Sequence, residues 1–314
     1  MMMMKRIGAA TALLLATTGG AAAQEDCHLH RVASFAMSID ESGGVSIPLT
    51  VSGHRINFLV DTGGLFSMLS PATADALGLQ QIALPGPMIQ MLGGKTVNRY
   101  VTAPNIELGP VTLPQMQFLI LPEGYAARDN GGVLAPEFLS NFDVDFDFAN
   151  AKLTLYTQDH CEGKVVYWTK GDYAVVPFEF DHTKHIRVPV EIDGKEIWTD
   201  LDTGASLSEL SLNLAHDKFG IGTSDPGVKD LGEHAYGHTY GYTFKTMTFG
   251  GVTVANPYVM LVPDVHYVRL TDGLIGMGVL RQLHMYIAYK EKKIYVTGAS
   301  AGSDAAPTAA QPSH

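Results

Sequence analysis

An all-β fold of two similar lobes is the architecture this sequence predicts, and three observations predict it. The first is composition. The 314 residues include 33 Gly and 16 Pro, both common in turns, which suits many short strands better than a helical bundle. Apolar residues make up 46% of the chain and charged residues 17%, enough for real cores and unlike a disordered polymer. The second is an internal repeat: at the offset that separates Asp61 from Asp202, residues 33–156 fall on residues 174–297. The third is apolar–polar alternation in short segments that recur in both copies.

The repeat sets the domain plan. Asp40 falls on Asp181, Pro48 on Pro189, Gly53 on Gly194 and Ile56 on Ile197. Asp61-Thr62-Gly63 falls on Asp202-Thr203-Gly204, Ser67 on Ser208, and Gly132-Val133-Leu134 on Gly273-Leu274-Ile275. The register slips by one residue between Leu77-Gly78-Leu79 and Phe219-Gly220-Ile221, then recovers. Two copies of this size are too few and too large for a solenoid. They read as an N-terminal lobe at 24–156 and a C-terminal lobe at 174–297, joined by a linker at 157–173. Residues 298–314, mostly Ala, Ser, Gly and Pro, have no apolar payload and read as a disordered tail.

Each copy reads as strands with one short helix. Residues 45–51 and 186–192 alternate, and Ser52-Gly53-His54 and Asp193-Gly194-Lys195 stand where a hairpin turn belongs. Residues 56–60 and 197–201 are the return strands. Ser70-Pro71 opens a short helix through Ala76, because Ser is a good N-cap and Pro a good first helical residue. Its counterpart spans 212–218. Residues 111–121 and 252–262 are strand-like, and the copies close with 144–156 and 285–296, each broken by a turn.

The first 23 residues read as an export signal. Lys5 and Arg6 precede a short apolar stretch around Leu13-Leu14-Leu15, and Ala21-Ala22-Ala23 offers a cleavage site before Gln24. The apolar stretch is shorter than the roughly 20 residues a membrane-spanning helix needs. An exported chain meets an oxidising compartment, where the simplest fate of its two cysteines, Cys27 and Cys161, is one disulfide. The loop-entropy argument values so long a loop at roughly 4–5 kcal/mol at most. Cys27-His28-Leu29-His30 and His160-Cys161 also gather metal-ligating types, but the spacing fits no zinc template, so neither metal nor cofactor is expected. The net charge of −11 gives no electrostatic footprint for nucleic acid or an anionic membrane.

The chemistry sits in the two Asp-Thr-Gly turns. A carboxylate in a tight turn after an apolar strand is rigidly held, and Gly63 and Gly204 relieve the backbone sterics. One such turn is weak evidence, since Asp and Gly are ordinary turn residues. Two at matched positions in duplicated lobes can meet on a pseudo-two-fold axis. Two carboxylates that close cannot easily both ionise, so one keeps a proton. The ionised member can deprotonate a water while the protonated one hydrogen-bonds a carbonyl, which is general acid–base hydrolysis.

The pattern of an apolar strand, Asp-Thr-Gly with Gly or Ala after it, a flap-sized hairpin region, then two apolar residues and Gly, resembles the retropepsin-like aspartic proteases. The motif-bearing stretches are Phe58-Leu59-Val60-Asp61-Thr62-Gly63-Gly64 and Asp200-Leu201-Asp202-Thr203-Gly204-Ala205. The resemblance implies two fused β-barrel lobes of retropepsin or pepsin type, a peptide or protein substrate, and a monomer, since one chain carries both turns. It implies that Asp61 and Asp202 are the catalytic pair. Thr62 and Thr203 would bond across the lobe interface, and Gly276 would let a strand pass close to the active turn. Residues near 88–98 and 229–239 would form flaps over a cleft where substrate lies extended.

Three departures stand out: Ala135 where the pattern has Gly, Ser206 where the first lobe has Leu65, and Asp200 where an apolar residue is usual. Ser206 could hydrogen-bond the Asp202 carboxylate, while Asp200 needs a partner if it points inward. Asp143, Asp145 and Asp147 alternate with Phe142, Val144, Phe146 and Phe148 and read as a solvated strand face. His234, Tyr236, His238 and Tyr240 read as solvated flap residues rather than a zinc site. Beside the protease stand two other functions: an inactive two-lobed peptide-binding protein, and a metal or small-ligand carrier using the histidines.

Overall fold

The computed structural model describes residues 27–86, 89–90, 95–122, 130–234, 237–264 and 272–300. The export signal read at 1–23 lies outside the described residues, as does the tail from 301. The chain is a two-lobed all-β fold, and the described residues include four short helices: α1 (Pro71–Ala76), α2 (Pro136–Leu139), α3 (Leu212–Phe219) and α4 (Met277–Leu280).

The first lobe starts from a hairpin of Val45–Val51 and His54–Val60. Its turn residues Ser52 and Gly53 have φ of 52° and 82°, the left-handed pair that a two-residue hairpin needs. His54–Val60 pairs in parallel with Gly132–Leu134, which pairs with Met68–Leu69. Met68–Leu69 adds Val111–Ile120, and Val111–Ile120 adds Arg99–Leu108. Arg99–Leu108 returns to Thr50 and Val51, closing a barrel. The second lobe repeats the order with Ile186–Ile192, Lys195–Leu201, Gly273–Ile275, Ser208–Ser211 and Tyr258–Val262. There the return is made at Glu191 and Ile192, the repeat equivalents of Thr50 and Val51.

Two local differences have identifiable causes. Residues 252–262 are not one strand but two, Val252–Ala255 and Tyr258–Val262. Asn256 takes a φ of 52° and Pro257 has no N–H to give a ladder, so pairing stops there. The slip in the repeat lies in the helices. Ser70 and Ser211 cap α1 and α3 through side-chain oxygens that accept from Thr73 N and Leu214 N. From its first residue, α3 runs one residue further than α1 to reach its left-handed glycine, Gly220 against Gly78.

A six-stranded sheet joins the lobes, in the order Arg31–Ala36, Lys152–Tyr156, Asp143–Asp147, Leu283–Ala288, Lys293–Gly298, Ala174–Pro177. Its central pair is symmetric: Val144 faces Ile287 and Phe146 faces Met285, each partner being the repeat image of the other residue. Gly298, assigned to the tail by composition, ends a strand paired with Leu283.

The solvated face expected for Asp143 and Asp145 is overturned. Both are fully buried. Asp143 accepts from His160, from Tyr289 N at 2.9 Å and from Tyr286 Oη at 3.3 Å. Asp145 accepts from His284 at 2.8 Å and from Tyr167. The linker explains this: Val165 and Trp168 are buried against Tyr156, Tyr286 and Tyr295, so residues 157–173 cover a sheet face that alternation alone leaves open to water. Cys161 in the linker is disulfide-bonded to Cys27, with Cα atoms 4.7 Å apart, and ties the start of the described chain to that cover.

Candidate active site

Each Asp-Thr-Gly turn grows from a strand whose last residue, Val60 or Leu201, is fully buried. The next backbone N–H is pinned across to the neighbouring strand: Asp61 N donates to Leu134 O at 2.9 Å and Asp202 N to Ile275 O at 3.0 Å. The turn then folds its N–H groups back on the carboxylate. Gly63 N donates to Asp61 Oδ1 at 3.1 Å, Gly204 N to Asp202 Oδ1 at 2.8 Å, and Ala205 N to the same oxygen at 3.2 Å. These bonds fix the direction of both carboxyl groups.

The two turns are locked to each other. Thr62 Oγ1 donates to Leu201 O and Thr203 Oγ1 to Val60 O, both at 2.7 Å. Each hydroxyl oxygen also accepts from the opposite threonine's backbone, Thr62 N at 3.1 Å and Thr203 N at 3.0 Å. Both threonines are fully buried, so all four bonds exclude water.

The glycines report where the carboxylates go. A Cβ on Gly63 would lie 2.3 Å from Asp202 Cγ, and one on Gly204 would lie 2.3 Å from Asp61 Oδ1. Each carboxylate therefore occupies the room left by the other turn's missing side chain. Asp61 and Asp202 meet at the lobe interface, half-buried, as the repeat leads one to expect.

Around them, Gly276 lies close to the chain after the second turn: a Cβ there would strike Leu207 O at 2.3 Å and Ala205 O at 2.9 Å. For Ser206, the structure gives a carbonyl that accepts from Gly278 N at 2.9 Å. Ala135 is accommodated because its neighbour across the turn is Gly64, where a Cβ would press on Ala135 Cβ at 3.3 Å. Asp200 points into the lobe, 2% exposed, with Arg187 opposite it in the strand register.

Sequence reasoning missed four supporting residues. Ser67 Oγ accepts from Ala135 N at 3.0 Å and Ser208 Oγ from Gly276 N at 3.1 Å, binding the strands on which the turns rest. The signal was available: both serines and both partners match in the repeat. Glu137 accepts from Ser67 N, and His185 Nε2 meets Gly64 O at 3.1 Å. Neither has an equivalent in the other lobe, where Gly278 and Gly44 stand.

Of the first expected flap, the described part is a small hairpin that pairs Ile89 with Val97 and Gln90 with Thr96. Val97 is buried in one apolar cluster with Leu59, Met68, Leu121 and Val133. Lys229–His234 and Gly237–Thr243 form the second hairpin. His238 there is exposed and bonds Asp230 at 2.7 Å and Glu233 at 3.2 Å, which raises its proton affinity; Tyr236 lies outside the described residues. Among the described residues, no group of three or more His, Cys, Asp or Glu side chains could hold a metal ion, and no helix is long and apolar enough to cross a membrane.

The sequence pattern of the family described as "Aspartyl protease" matches residues 47–136 and 188–279, one stretch in each lobe around its Asp-Thr-Gly turn. No curated protein matches the chain. Among solved structures, the crystal structure of Basic 7S globulin from soybean has a TM-score of 0.53 to this fold. It covers 88% of this chain and 98% of the globulin at 12% identity, a likeness of fold alone.

Proposed function

The chain belongs to the aspartyl protease family, and on that premise we propose that it is an exported aspartic endopeptidase in which Asp61 and Asp202 activate one water against a peptide bond. The observation that carries this reading is the crossed placement of the carboxylates, each against the other turn's glycine. A single proton is shared by the pair. The ionised carboxylate takes a proton from a water held between the two, and the water oxygen bonds to the scissile carbonyl carbon. The protonated carboxylic acid hydrogen-bonds the carbonyl oxygen and gives it that proton, yielding a neutral gem-diol. The first carboxyl, now protonated, gives its proton to the peptide nitrogen while the second, now ionised, takes one from a gem-diol hydroxyl; the C–N bond breaks, releasing a carboxylic acid and an amine and leaving the pair with one proton again. No bond to the protein forms.

The residues around the pair have positioning roles in this scheme. Thr62 and Thr203 hold the two turns at fixed separation, and Gly63, Gly204 and Gly276 leave the room that approach requires. Preorganisation of this kind is what makes two ordinary carboxylates catalytic. Export is supported by the Cys27–Cys161 disulfide, a bond that persists in oxidising compartments, together with the leader-like first 23 residues. The working unit is a monomer because both turns belong to one chain.

The test is cleavage of a diverse peptide library by the chain from Gln24 onward, read by mass spectrometry from acidic to neutral pH. Wild type is expected to cut, and Asp61→Asn and Asp202→Asn each to lose about 10³-fold or more of the rate. A wild type that binds peptides but cuts none would favour the peptide-binding reading instead.

A further inference from the structure

The Asp61 turn has a support that the Asp202 turn lacks. In both lobes a tight turn precedes the first barrel strand. Asp40 accepts from Gly44 N at 2.8 Å, and its equivalent Asp181 accepts from His185 N at 3.0 Å. Gly43 and Lys184, the next equivalents, both have positive φ, so the two turns share one backbone. What differs is the side chain that follows: nothing at Gly44, an imidazole at His185. That imidazole is 2% exposed and crosses the lobe interface to the carbonyl of Gly64, three residues after Asp61.

The hydrogen-bond inventory fixes what the ring must do. Gly64 O is a carbonyl and can only accept, so Nε2 must donate. On the other side, Nδ1 lies 2.9 Å from Thr183 Oγ1 and 3.2 Å from Asp181 Oδ2. The Thr183 hydroxyl spends its one proton on Asp181 Oδ1 at 2.6 Å, which leaves its oxygen to accept. Asp181 is an ionised acceptor: burial alone would raise its proton affinity, but Thr183 and His185 hold it below the ordinary value. Nδ1 therefore also faces acceptors only. The neighbouring cation, Lys184, is turned away, with its Nζ 5.2 Å from the Phe180 ring centroid.

We infer that His185 is a positioning residue for the first aspartate: with both ring nitrogens donating, it clamps the Gly64 carbonyl to the Asp181 turn and so holds the Asp61 loop in place. The neutral ring has one donor and can keep only one end of the clamp. The groups that face the ring are Asp181 and Thr183 from its own turn and the Gly64 carbonyl from the opposite lobe. One aspartate's geometry thus depends on a side chain held outside the catalytic pair. The catalytic consequence rests on the protease reading above; the structural half does not.

The test compares wild type with His185→Gln in the full chain by hydrogen–deuterium exchange and by kinetics. Exchange is expected to rise in the peptide covering residues 61–67 and to stay unchanged in residues 202–208. Against a cleaved peptide, kcat is expected to fall about ten- to a hundredfold with KM nearly constant. Equal loosening of both turns, or of neither, overturns the clamp whether or not the protein cuts peptides. Selective loosening of 61–67 with kcat unchanged would overturn the catalytic half. If wild type cuts nothing, the exchange result still decides the clamp, and the protease reading is what has failed.

Discussion

The two lobes reach the same active turn by different means. In the second lobe the residue after Asp-Thr-Gly is Ala205 and the facing residue is Gly276; in the first lobe they are Gly64 and Ala135. One methyl has changed sides. The backbone contacts have changed as well. Met277 N and Gly278 N donate to Ala205 O and Ser206 O, both at 2.9 Å, whereas Pro136 in the matching place has no N–H to give. The first lobe supplies Glu137 to Ser67 N and takes His185 from its neighbour at Gly64 O. What the duplication preserves is the position of the carboxylate. The contacts that secure it are interchangeable, so a departure from a family pattern in one lobe has to be judged with its partner residue.

That comparison can be broken at its centre first. Thr62→Val would leave Leu201 O and Thr203 N without partners in a buried interface, at about 1–3 kcal/mol each. The expected result is the largest loss of stability in the set, measured by urea unfolding, with activity lost as well. Next, Gly276→Ala drives a methyl into a backbone carbonyl that cannot move aside, and should cost about 1–3 kcal/mol. Gly64→Ala is milder, because its methyl meets side chains, Asp61 Cγ and Oδ2 at 3.1 Å and Ala135 Cβ at 3.3 Å, rather than a backbone oxygen. Adding Ala135→Gly should restore the part of the loss that comes from the two methyls, and a double-mutant cycle in Tm measures that coupling. If the double variant is no better than Gly64→Ala alone, the exchange of methyls is not the reason Ala135 is tolerated.

The smallest expected effect concerns the sheet between the lobes. Burial raises the proton affinity of Asp143 despite the pull of His160. For His160, burial acts downward, but the bond to Asp143 and the charge of Glu291 leave it raised. Both shifts favour the protonated folded state. The His160 stabilisation is therefore present below the ordinary histidine value of 6.5 and is lost as pH rises through its raised folded value, while the Asp143 contribution is present below the ordinary value of 3.8 and is lost as pH rises through that group's own raised value. Wild-type Tm should fall from pH 5 to pH 8, and His160→Asn should have a lower Tm at pH 5 and a shallower fall. A variant with the wild-type slope would show that this pair does not link the linker's hold to pH.

Much of this was legible in the sequence because duplication prints each feature twice. Asp61 and Asp202, the cross-bonding threonines and the hairpin turns at Gly53 and Gly194 all stood out by recurring. The cap at Ser70 was legible from local chemistry. Asp143 and Asp145 were not, because alternation assigns a residue to a sheet face and cannot say what covers that face. The cover comes from His160, Tyr167 and Trp168 in a segment whose composition suggested only a connector. His185 was invisible for the opposite reason: its repeat equivalent is Gly44, so no pattern marks it. Repeats expose what two lobes share and conceal what one lobe adds.

The most direct measurement of the central claim, that the two turns form one site within one chain, is calorimetric titration with a statine-type peptide whose hydroxyl mimics the attacking water. One equivalent is expected to bind per chain, with affinity reduced about 100-fold or more by Asp61→Asn and by Asp202→Asn alike. One equivalent per two chains, two per chain, or undiminished binding by either variant would contradict it.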